Sequence, residues 1–120
     1  MTRREFTRNF ALFVVQMIKA REEPIFDYFL RDAETQKRLF DRGLSKCDGY
    51  KHLSRHQFGT AGDMYFVGRD YKGAPKVLYA EPLEAEKHPI RDRYVKWHKI
   101  WEEKYGGKPM ITWDCGHWEG

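Results

Sequence analysis

Phe6, Phe10, Phe13, Val14 and Met17 recur every three or four residues, the spacing that lines up side chains on one face of a helix. Pro24 interrupts that pattern, and the apolar run over residues 25–30 predicts a short strand. Residues 33–41 return to helical spacing, with Asp32 placed to cap the first turn and Gly43 to end the last. From 44 to 62 no period is sustained and Gly49, Gly59 and Gly62 punctuate the chain, which predicts a long loop of the kind that carries function in a small domain. Residues 64–67 and 76–80 then read as two strands joined through a turn at Lys72-Gly73-Ala74-Pro75. Tyr94, Trp97, Trp101 and Tyr105 predict a further helix stopped by Gly106-Gly107, and residues 110–113 a last short apolar strand. The pattern is α+β: helices packed on one small antiparallel or mixed sheet, with no repeat and no linker.

Length changes little in that picture. At 120 residues the chain fits a single domain, 1–120, small enough that a bound metal would add usefully to its stability. The amphipathic N-terminal segment could pass for an export signal, since Thr2-Arg3-Arg4 precedes an apolar run. Gln16 and Lys19 interrupt that run and no small-residue cleavage site follows, so the segment reads as structure. The expectation is a protein made in the cytoplasm without a signal peptide. No stretch reaches the length of a membrane span.

Charge is mildly basic, 22 Lys and Arg against 18 Asp and Glu, which suits an anionic partner without choosing one. No basic run or aromatic-studded basic stripe argues for nucleic acid. Cys47 and Cys115 form no CxxC pair, which excludes a cysteine-based zinc site; two reduced thiols are expected.

The chemistry concentrates in two short segments. His56 precedes Asp63 by seven residues, at the mouth of a predicted strand, and Asp114 precedes His117 by three. Two imidazoles and one carboxylate make a suitable ligand set for catalytic zinc, which keeps one position for water. Asp114 is then free to act as the base that takes a proton from that water. The glycines between His56 and Asp63 argue against a helix there, and Asp114 and His117 would point opposite ways on a regular strand, so both segments should turn. His52, His88 and His98 read as ordinary surface or core histidines.

Ser54-x-His56-x-x-Gly59-x-Ala61-x-Asp63, followed by Asp114-x-x-His117-Trp118-Glu119, resembles the D-alanyl-D-alanine carboxypeptidase and L-alanyl-D-glutamate endopeptidase family. Arg31, Gln36, Leu39, Gly43, Ser45 and Lys46 are similar to that family's upstream stretch, so the resemblance runs from about residue 28 onward. It implies the zinc-binding fold shared with the hedgehog signalling domain. It also implies that His56, Asp63 and His117 bind Zn2+, that Asp114 is the catalytic acid and base, and that Arg31 holds the substrate carbonyl or oxyanion. Ser54 is implied as a loop-shaping or substrate-side hydrogen bonder, while Cys115 has no ligand counterpart. Aspartate at 114 is similar to the phage endolysin branch, which implies a monomeric enzyme cutting the L-Ala–D-Glu bond of the peptidoglycan stem peptide after release to the wall. A D-Ala–D-Ala carboxypeptidase and a non-catalytic zinc-bearing binding domain are the alternatives within that fold. A basic nucleic-acid-binding domain would leave the His and Asp spacing unexplained.

Overall fold

The computed structural model describes residues 1–69, 72–78 and 90–120. In chain order these form α1 (Arg3–Lys19), β1 (Pro24–Phe26), α2 (Ala33–Asp41), β2 (Ala61–Arg69), β3 (Pro75–Leu78), α3 (Ile90–Tyr105) and β4 (His117–Glu119). The α+β class predicted from the periodicities is the one observed. No helix among the described residues is long and apolar enough to cross a membrane.

Local chemistry accounts for the helix starts. Thr2 and Glu5 exchange backbone and side-chain bonds at 2.7 and 3.1 Å, a capping box that satisfies two amides with no partner in the helix. Asp32 accepts from the Thr35 amide at 2.6 Å and opens α2 as expected.

β2 organises the sheet. It pairs antiparallel with β1 through Pro24↔Phe66 to Phe26↔Met64, and with β3 through Phe66↔Leu78 to Arg69↔Pro75. Its first residues pair with β4, setting Asp63 directly opposite His117. That register brings together two candidate ligands more than fifty residues apart in sequence. The expected partner strand at 76–80 is thus found at Pro75–Leu78; positions 79 and 80 lie outside the described residues, as does His88.

An aromatic core lies between α1, α3 and the sheet. Phe13 is fully buried, with ring centroids 5.2 Å from Trp101 and 5.3 Å from Trp118. Each such side chain contributes roughly 1.5–3 kcal/mol by leaving water. Glu22 ties the far end of α1 to α3, accepting from the Trp97 indole at 3.0 Å and pairing with Arg93.

Two strand expectations need correction. The strand predicted over 25–30 ends at Phe26. Beyond it the Asp27 amide and Tyr28 carbonyl still bond the backbone of Asp63, at 2.9 and 2.7 Å, but Arg31 turns away to donate its amide to the His56 carbonyl at 3.2 Å. Residues 110–113 form no strand either: Ile111 and Asp114 make a single bridge. The amides of Asp114 and His117 bond three residues back, at 3.0 and 3.1 Å, so this segment spends its backbone groups on consecutive turns. Only the start of its apolar run meets the core: Met110 packs against it, whereas Trp113 is 59% exposed.

Candidate metal centre

Three segments converge at the start of β2. The turns from Ser54 to Thr60 carry His56, β2 carries Asp63, and β4 carries His117. Gly59 lets the first of these double back, with a φ of 70° that side-chain-bearing residues rarely adopt. Gly62 is required for space, because a Cβ there would stand 2.6 Å from the Phe29 ring.

His56, Asp63 and His117 offer ligand atoms that all lie within 4.8 Å of one another. His56 Nε2 is 3.3 Å and His117 Nδ1 is 3.4 Å from the same oxygen, Asp63 Oδ1. Ligands about 2.0 Å from a tetrahedral ion stand about 3.3 Å apart, so both spacings suit a metal.

The surrounding bonds settle which atoms face inward. His56 Nδ1 meets the Phe29 carbonyl at 2.9 Å, and a carbonyl can only accept, so Nδ1 carries the proton. The Nε2 lone pair is thereby aimed at Asp63 Oδ1: two acceptors face each other unless a proton or cation lies between them. His117 is arranged in mirror fashion, with Nδ1 inward and Nε2 3.6 Å from Glu119 Oε1. Asp63 Oδ2 faces outward and receives Arg31 Nη2 at 3.3 Å. All three ligands therefore have an outer partner, the arrangement that orients metal-binding side chains.

The Arg31 side chain is 92% covered: Nη1 donates to Gln36 Oε1 at 2.9 Å, the guanidinium stacks 4.7 Å from the Tyr28 ring, and Nε is buried with no hydrogen-bond partner among the described residues. Gln36, wholly buried, passes the constraint on by donating to Ser45 Oγ at 2.7 Å and the Cys47 carbonyl at 2.8 Å. The ligand Asp63 is thus fixed through Arg31 to α2 and to the long loop.

These neighbours set the local charge. Burial works to raise the Asp63 carboxyl, but hydrogen bonds and charge from His117 and His56 outweigh it and hold the group at about 2. Burial works to depress His117, yet its bond to Asp63 and the charges of Asp63, Asp114 and Glu119 raise it overall. Asp114 is raised chiefly by burial; His117 opposes the shift and Asp63 adds to it.

The cluster forms part of the wall of a 670 Å³ cleft that Asp114, Ser54, Lys46 and Trp113 also line. The Ser54 hydroxyl is buried with no hydrogen-bond partner among the described residues. Every site residue singled out from the sequence therefore borders one cleft. Glu119, Gln36 and the Phe29 carbonyl were not assigned a part in the site beforehand. Alternation in a strand could have given Glu119 its part, since His117 and Glu119 share one face of β4; Gln36 stood in the upstream stretch without a role, and no side-chain pattern announces the Phe29 carbonyl.

His98 and the cysteines stand apart. His98 stacks on Trp118 at 3.7 Å in the core, as expected of a core histidine, and His52 is exposed. Cys47 and Cys115 are both free thiols. No protein-family model, curated protein or solved structure matches this chain. What fold and site define is an α+β protein with a buried His, Asp, His cluster able to hold a metal ion.

Proposed function

We propose that this protein is a zinc metallopeptidase that hydrolyses a stem-peptide bond of bacterial peptidoglycan, most simply the L-Ala–D-Glu bond. The observation that carries the reading is the pairing of the His56, Asp63, His117 cluster with a half-buried carboxylate, Asp114, in one open cleft. A binding domain needs the first; hydrolysis needs both. The sequence resemblance to wall peptidases supplies the substrate, and Lys46 and Arg55 on the cleft wall suit a substrate bearing carboxylates.

A zinc ion held by the three ligands supplies a lowered pKa for water and a positive charge that polarises the scissile carbonyl. The chain does the rest. Asp114 accepts the proton of the attacking water and delivers it to the leaving amine, and its raised affinity for protons suits both steps. Ser54, with its hydroxyl uncommitted, is the donor for the substrate backbone. Arg31 acts chiefly by holding Asp63, to which one terminal nitrogen is bound while the other is bound to Gln36.

Digestion of purified peptidoglycan followed by mass spectrometry tests this. New amino-terminal D-glutamyl ends are expected from the wild type. Asp114→Asn should keep the metal and be slower by on the order of a hundredfold or more. Free D-alanine as the sole product would move the protein to the carboxypeptidases. Metal binding with no hydrolysis of any wall preparation would leave a binding domain.

A further inference from the structure

Helix α1 is apolar well beyond the face it needs. Phe6, Phe10, Phe13 and Met17 fill the core, while Leu12, Val15 and Ile18 on the other side are 49%, 48% and 58% exposed. A helix apolar on most of its circumference is ordinarily covered on most of it. Beside these residues runs an apolar groove of 460 Å³ between α1 and the chain around β1, lined by Phe10, Ala11, Val14, Phe26, Phe29 and Leu30 among others. Phe26 and Leu30 are themselves more than half exposed, at 58% and 56%, so the patch continues across the groove.

Charge gives the patch a direction. Arg4, Arg8, Ala11 and Val15 follow one another at helical spacing, so the outer face of α1 begins with two exposed arginines and continues as aliphatic surface. Lys19 and Arg21, also exposed, close its other end. From Phe6 to Arg21 there is no Asp or Glu. Glu5 is tied up in the cap and Glu22 is bound to Arg93 and Trp97.

We propose that this face of α1, with the adjoining groove, docks on an anionic lipid bilayer, the cations meeting headgroups and the aliphatic residues and groove taking acyl chains. The charge pattern disfavours a second copy, since a two-fold pairing would set arginines and lysine against one another with no carboxylate between them. Apart from Arg3 and Thr7 the side chains lining the groove are hydrocarbon, so most amides and carbonyls of a peptide there would go without partners; an acyl chain needs none. The helix is already folded by its core contacts, so docking incurs no cost of ordering it. This surface is separate from the metal cleft, and the inference stands independently of any peptidase activity.

Cosedimentation of the full chain with vesicles tests it. Vesicles of phosphatidylcholine with phosphatidylglycerol should bind the protein, vesicles of phosphatidylcholine alone only weakly, and binding should decline as salt rises. Arg4→Gln with Arg8→Gln should weaken binding by about fivefold per charge removed. Leu12→Glu with Val15→Glu should weaken it on the order of tenfold or more. Both pairs change exposed residues, and circular dichroism checks that each variant is folded. Failure to sediment with anionic vesicles at low salt overturns the proposal, as does wild-type binding by both folded variants. A concentration-dependent dimer that Leu12→Glu dissociates, in a protein indifferent to vesicles, would assign the face to a second copy instead.

Discussion

The aromatic core and the metal cleft both enclose histidine, and they satisfy it in opposite ways. In the core, His98 Nε2 meets the Cys115 carbonyl at 2.7 Å, and Nδ1 is buried with no partner among the described residues. A proton there would gain no acceptor, and burial lowers the group to about 4. In the cleft, His56 and His117 turn their inward nitrogens on a shared carboxylate oxygen at 3.3 and 3.4 Å. A cation between those atoms relieves three electron-rich groups at once. The lesson is that burial alone does not mark a functional histidine; what its second nitrogen faces does. His98 is held for packing, while the other two are placed where they could share a metal ion.

The sharpest way to break this contrast is to remove one ligand from the cleft. His117→Ala or Asp63→Ala should abolish stoichiometric zinc and reduce hydrolysis to background, whereas His98→Phe should keep the full metal content. Elemental analysis of the purified variants distinguishes them. Next in size is Asp114, whose replacement should slow the reaction without releasing metal. Smaller again is the outer support: Arg31→Lys loses the planar fork that spans Gln36 and Asp63, and zinc affinity should fall by roughly ten- to a hundredfold. Competition with a chromophoric chelator measures that shift, and an unchanged affinity would show that Asp63 needs no such brace.

The last effect lies in the core and leaves the metal and the reaction untouched. Unfolded His98 takes up a proton near its ordinary value of 6.5, whereas the folded residue does so only at about 4. Between those values the unfolded chain binds the extra proton, so stability falls as the pH is lowered through this window. The full difference corresponds to about 3 kcal/mol. Thermal unfolding of chelator-treated wild type and His98→Phe should therefore converge toward acid, the wild type losing more. Parallel pH profiles would mean that the folded residue takes up its proton as readily as the unfolded one.

Much of this arrangement could be read from the chain before its fold was known. Helix α2 and its Asp32 cap followed from spacing and a local hydrogen-bonding preference, which act over a few residues. His56, Asp63 and His117 stood out as candidates because their residue types suit a metal, and Asp114 because its spacing to His117 matched the same motif. The braces did not. Arg31 reaches Asp63 across 32 positions, and the Phe29 carbonyl that fixes the His56 tautomer belongs to every residue type alike. Residues 110–113 misled because an apolar run implies burial only when something packs on it, and Trp113 faces out.

Calorimetric titration of zinc into chelator-treated protein bears most directly on the metal centre. The expected result is one ion per chain, bound with release of protons and more weakly as the pH falls, because the two imidazoles must be neutral to bind it. Asp63→Ala should give no such binding, and His98→Phe should titrate like the wild type. Equal zinc binding by wild type and Asp63→Ala, or none by the folded wild type, would contradict the assignment.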